Sequence, residues 1–147
     1  MPFRRSRKLS RLNNMRVSKR LEHFFSDMRE MFQMPRFIWS AILAFLFCVL
    51  DIILPILRIA PLHIARPFIP LHYNIYFGVD KFGSWIQIFS VPLLGFCLLL
   101  LNLIVQTIIF RREKFLAFMI AVATVLIECI LLCAMVLIVL LNLSYAQ

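Results

Sequence analysis

Three stretches of the chain, residues 37–57, 88–110 and 115–141, are apolar with little interruption. Each reaches the roughly 20 helical residues needed to cross the hydrocarbon core of a bilayer. In lipid a segment must satisfy its own backbone polar groups, so runs of this length predict transmembrane helices. Pro55 falls near the end of the first run and Pro92 near the start of the second, where a helix boundary or kink absorbs a proline. Ahead of the first run the pattern turns periodic. Val17, Leu21, Phe24, Phe25, Met28, Met31 and Phe32 recur at helical spacing on one side. Arg16, Lys19, Arg20, Glu22, Asp27, Arg29 and Glu30 occupy the other side, and Asn14 is a candidate N-cap. Residues 14–35 are therefore expected to form a basic amphipathic helix in the membrane interface, the alternative being that its apolar face packs on a partner or a neighbouring subunit. Residues 1–13 lack apolar periodicity and read as a basic disordered tail. The pattern as a whole predicts an all-α membrane protein: the interfacial helix, then a three-span domain over 36–147 with a loop at 58–87.

Composition agrees. A chain of 147 residues that is 63% hydrophobic, with mean hydropathy +0.91, is too apolar for an ordinary soluble domain. The net charge of +9 resembles a nucleic-acid footprint until its placement is considered, since electrostatics alone does not distinguish polyanions. Ten of the 16 Lys and Arg lie in residues 1–36, directly ahead of the first span. Such a block retains a segment in the cytoplasm and draws it to anionic lipid, at about 1 kcal/mol per basic residue near the surface. No nucleic-acid partner is expected. With Arg111, Arg112 and Lys114 in the turn between spans two and three, one side of the membrane holds thirteen basic residues. The other holds Arg58, Arg66 and Lys81. The asymmetry predicts a cytoplasmic N-terminus, an external 58–87 loop and an external C-terminus. The turn at 111–114 is short enough to force an antiparallel pair of helices. The long polar lead before the first span predicts an uncleaved anchor rather than a cleaved signal. Cys48, Cys97, Cys129 and Cys133 all lie within apolar segments, so they read as apolar filling, with no disulfide framework or metal site implied.

The loop is the least generic segment. Pro61, Pro67, Pro70, Gly78 and Gly83 predict turns rather than helix or long strand, and Tyr73, Tyr76, Phe77, Phe82 and Trp85 are of the kind that settle at the headgroup level. Within it runs Pro70-Leu71-His72-Tyr73-Asn74-Ile75-Tyr76-Phe77-Gly78-Val79-Asp80-Lys81-Phe82-Gly83-Ser84. Through Pro70, His72, Tyr73, Asn74, Gly78, Asp80, Phe82, Gly83 and Ser84, this stretch resembles the loop motif of a bacterial domain of unknown function found near the N-terminus of SdpI-like multi-span membrane proteins. It also looks like small membrane proteins of bacteria with reduced genomes. The resemblance implies a bacterial plasma-membrane protein. Some SdpI-like members act as immunity proteins against secreted toxic peptides. From the residues themselves, His72 and Asp80 approach each other if the chain turns back near Gly78. Stapling of the loop, recognition of an external ligand, and metal or proton chemistry are all open to such a pair, His63 being a further donor.

Inside the spans, Asp51 and Glu128 stand out, because an ionised carboxylate at mid-membrane costs some 2.5–3.5 kcal/mol on the lenient insertion scale. At about 1.5 Å per residue they sit roughly 21 and 20 Å from the cytoplasmic end, at similar heights. Gly95, Asn102 and Gln106 form a stripe on span two, and Ala117, Ala121, Thr124 and Glu128 one on span three. Such stripes read as close helix packing, and a proton or ion pathway in an oligomer is the alternative. No nucleophile–base pair, metal quartet or cofactor loop is apparent, and neither enzyme activity nor a cofactor is expected. The functional expectation is a non-enzymatic assembly or recognition protein that uses the external loop, with a homo-oligomer or another membrane protein as partner. The alternative is a subunit of an oligomeric proton- or ion-conducting channel or transporter, using Asp51, Asn102, Gln106 and Glu128. A reporter fused after Gln147 should be external and one inserted at Glu113 cytoplasmic. The reverse labelling would overturn the charge-based orientation.

Overall fold

The computed structural model describes residues 3–61 and 68–145, with residues 3–15 described as backbone only. In chain order the elements are α1 (Phe3–Phe32), α2 (Pro35–Arg58), β1 (Phe68–Asn74), β2 (Gly78–Ser84), a 3-10 turn (Trp85–Phe89), α3 (Ser90–Phe110) and α4 (Lys114–Ser144). Three helical segments, Pro35–Arg58, Trp85–Phe110 and Lys114–Ser144, are long and apolar enough to cross a membrane. Only 22, 17 and 22% of their most apolar windows is buried inside the bundle, so most of the apolar surface faces outward, as a protein with lipid for solvent requires. α3 and α4 are antiparallel neighbours across the short turn at 111–113, and α2 packs mainly along α4.

Proline marks the limits of α2. Pro35 opens it, where a missing N–H costs nothing, and Pro55 sits one turn before it ends. The ring leaves the carbonyl of Asp51 without its helical donor, while the carbonyl of Pro55 accepts the N–H groups of Ile59 and Ala60 at 2.9 and 3.0 Å. The bundle has two apolar clusters, one near each end. Met31, Phe37, Phe110, Ala117 and Ala121 form the first, with Phe37 edge-on to Phe110 at 5.5 Å and to Phe118 at 6.1 Å. Ile59, Ile69, Ile88, Met135 and Val139 form the second, beneath the hairpin.

Two expectations are corrected. The molecule is not all-α: the segment expected to hold only turns contains a two-stranded antiparallel sheet. Its strands are short, bulky and partly β-branched, and they gain a helical bundle end to pack on, which a proline and glycine count does not reveal. Residues 3–13 of the expected tail are also helical, since α1 starts at Phe3, not at Asn14, and ends at Phe32. Residues 3–34 hold no Gly or Pro, and the basic residues there are good helix formers.

The seven apolar positions expected on one face of α1 do not share one environment. Met31 is fully buried against the bundle, whereas Val17, Leu21 and Phe25 are more than half exposed. Asp27, expected on the polar side, turns inward to meet Arg111 Nε at 2.5 Å, and Glu30 lies 3.9 Å from Lys114. The cations of the α3–α4 turn thus hold the end of α1 against the helices. An exposed pair of this kind contributes about 0.2–1 kcal/mol, more where one partner is mostly covered as Asp27 is. Asp27→Arg should free α1 and speed tryptic cleavage at Arg16–Arg20 several-fold, and adding Arg111→Asp should restore protection. Equal cleavage in all three proteins would remove the pair from the docking.

Candidate functional site

The hairpin joins α2 to α3 over the end of the bundle where α4 finishes. Ile75, Tyr76 and Phe77 form its turn, Gly78 follows at φ 73°, and the Tyr76 N–H donates to Asn74 Oδ1 at 2.9 Å. The three-residue turn is flanked by Asn74, whose side chain makes an Asx turn, and by Gly78, whose left-handed backbone suits glycine. Asn74 and Gly78 are therefore turn-makers.

The turn also sets the register. Pro70 pairs with Phe82 and Tyr73 with Val79, which brings His72 opposite Asp80, although a local irregularity shifts the backbone partner of His72 to Lys81. His72 Nδ1 lies 2.7 Å from Asp80 Oδ1. The two side chains are 63 and 37% exposed, so water screens the pair and it staples the hairpin only weakly. His63 lies outside the described residues. Among the described residues no three His, Cys, Asp or Glu side chains group as a metal site.

The remaining motif residues fix how the hairpin is seated. The ends of the Leu71 and Gln87 side chains occupy the space that a Cβ on Gly83 would take. Ser84 leads into that turn without capping it through its side chain. Tyr73 stays half exposed on the surface. The main tie to the bundle comes from a residue that the motif did not contain. Asn142, 4% exposed, donates from Nδ2 to the carbonyl of Pro70 at 2.8 Å and to that of Ile138 at 2.9 Å. Its signal was present: Glu128, Met135, Val139 and Asn142 continue the inward stripe of α4 at helical spacing.

The intramembrane polar residues divide into two groups. Asn102 Nδ2 donates to Thr124 Oγ1 at 3.0 Å, Gln106 Nε2 reaches the same oxygen at 3.5 Å, and Thr124 donates to the Ile120 carbonyl at 2.8 Å. This is a satisfied α3–α4 link of the kind expected to be worth about 0.6 kcal/mol per bond. Asp51 and Glu128 are separate from it. Both are fully buried and lie within Coulombic reach of each other. None of their four carboxyl oxygens has a hydrogen-bond partner among the described residues. Among the described residues no hydrogen bond joins the carboxylates to the amides: Asn102 and Gln106 engage Thr124, one turn from Glu128. Gly95 makes room for the glutamate, since a Cβ there would stand 2.9 Å from Glu128 Oε2.

Comparison with protein-family models, curated proteins and solved structures finds no match to the chain.

Proposed function

We propose that the chain is a non-enzymatic bacterial plasma-membrane protein that assembles with itself or with another membrane protein, the hairpin being its recognition surface. One contrast carries this reading. The base of the hairpin is held by Asn142, His72–Asp80 and the Ile59–Ile69–Ile88 cluster, yet Ile75, Tyr76 and Phe77 at its tip are 82, 87 and 83% exposed. Three adjacent large apolar side chains presented on a fixed turn form a ready contact patch, because ordering them costs little extra entropy on binding. The thirteen basic residues on the α1 side support a cytoplasmic N-terminus and an external hairpin, and the basic stretch of α1 would lie near anionic lipid. The likeness of the loop to SdpI-like proteins fits a bacterial plasma membrane and a role at its outer face. A photoreactive residue replacing Tyr76 should give one discrete protein adduct in intact membranes, and Phe77→Ser should abolish it. Adducts to lipid alone would overturn the reading.

A second reading rests on Asp51 and Glu128: two buried acids with no hydrogen-bond partner among the described residues, at the meeting point of three helices, suit a proton-handling subunit of an oligomer. In proteoliposomes an acid gradient should then drive proton flux that both Glu128→Gln and Asp51→Asn abolish, while their thermal unfolding stays close to wild type. An amide keeps the polar shape and cannot titrate. Unchanged flux in both variants would leave the pair a packing role only.

A further inference from the structure

Between β1 and the last turns of α4 runs a groove of ≈ 650 Å³, walled by Leu71 and Tyr73 on one side and by Ala134, Leu137, Ile138 and Leu141 on the other. Its walls are almost wholly apolar. Leu137 and Leu140 beside it are 67 and 56% exposed on the outer surface of a membrane-spanning helix, so the groove opens sideways toward the bilayer and not into an enclosed core. At Leu71, His72 and Ile138 it adjoins a second cavity, of ≈ 520 Å³, whose lining turns polar with Lys81, Gln87 and Ser90. Volumes of a few hundred Å³ are of the size that holds one elongated small molecule.

The chemistry of the two ends is that of an amphiphile. The apolar end is continuous with acyl chains, and the polar end stands at the level where span gives way to hairpin. Charge decides the headgroup. The ionisable groups at this rim are His72, Asp80 and Lys81. Asp80 is taken by His72, and Lys81 has no carboxylate within ion-pair distance among the described residues. Lys81 is therefore the cation at this rim left to meet an anionic group. An acyl chain gains little by leaving one apolar surroundings for another, so selection would come from this charge and from the shape of the groove.

We propose that the groove holds an acyl chain of a phospholipid from the hairpin-side leaflet, its anionic headgroup set against Lys81. The site uses none of the hairpin-tip residues and stands whether or not the tip recognises a protein.

The test uses the full chain in nanodiscs with phosphatidylglycerol or phosphatidylcholine carrying a photoreactive acyl chain, the adducts being mapped to peptides so that lipid held by the basic α1 is scored separately. Phosphatidylglycerol should label residues 134–141 about fivefold more than phosphatidylcholine, the ratio that one basic residue near the surface supplies. Lys81→Gln should bring the two lipids level there without changing the labelling of α1. Ala134→Trp, which fills the groove, should remove labelling by both. Tyr76→Ser, which disables the proposed tip contact, should leave the lipid adducts unchanged. Labelling spread evenly to Leu126 and Ile130, which are as exposed on the same helix, would overturn the proposal, as would equal labelling by the two lipids in the wild type.

Discussion

Two carboxylic acids within apolar helices leave those helices little freedom. Asp51 on α2 and Glu128 on α4 cannot face hydrocarbon without a cost of several kcal/mol, so each must turn toward protein. Both do, and both are completely covered. That requirement places α2 and α4 side by side, and on α3 the bare backbone at Gly95 lies close to Glu128 Oε2. The satisfied link from Asn102 and Gln106 to Thr124 then sits one turn from Glu128 and fixes the rotation of α3 against α4. Pro55 adds to the local polarity by depriving the Asp51 carbonyl of its helical donor.

The two ends of the bundle are finished by different means. At the α1 end the work is electrostatic and aromatic. Arg111 and Lys114 receive the acids of α1, Lys114 also lies over the Phe110 ring at 5.2 Å, and Arg36 stacks over Phe37 and Phe118 at 5.3 and 5.6 Å. Cations that read in sequence as topology signals thus serve as the socket for a preceding helix. At the hairpin end the work is done by packing and by one buried amide. Asn142 ties β1 to α4 from beneath, and the Ile59–Ile69–Ile88 cluster joins the ends of α2 and α3 to the sheet. A two-stranded hairpin is marginal by itself. Seated this way it can carry a wholly exposed apolar tip without folding over onto its own base.

The proposed recognition tip and lipid groove follow from the same seating. Asn142 and the packing of Ile69 on Met135 and Val139 hold the start of β1 on α4, and the groove lies between Leu71 to Tyr73 and the last turns of that helix. The hairpin therefore presents one surface away from the bundle and another toward the lipid beside α4.

What the sequence alone determined is everything that depends on local pattern and on the solvent. Apolar run length gave the three membrane-length helices, the basic turn their antiparallel pairing, and the i, i+7, i+11 stripes their inward faces, because a helix in lipid must satisfy its own backbone and hide its polar groups whatever its neighbours are. For His72 and Asp80 the sequence offered only a condition, a turn back near Gly78, and the hairpin meets it. What only the tertiary structure decided depends on neighbours distant in the chain. The sheet forms because the end of α4 offers Asn142 to a strand 72 residues away. Asp27 turns inward because Arg111 waits there, against the face that helical periodicity assigned to it. The acids stand apart from the amides because Thr124, shared by Asn102 and Gln106, is within their reach and Glu128 is not bonded to them. Periodicity shows which way a side chain points from its own helix, and the packing of the helices decides what it meets.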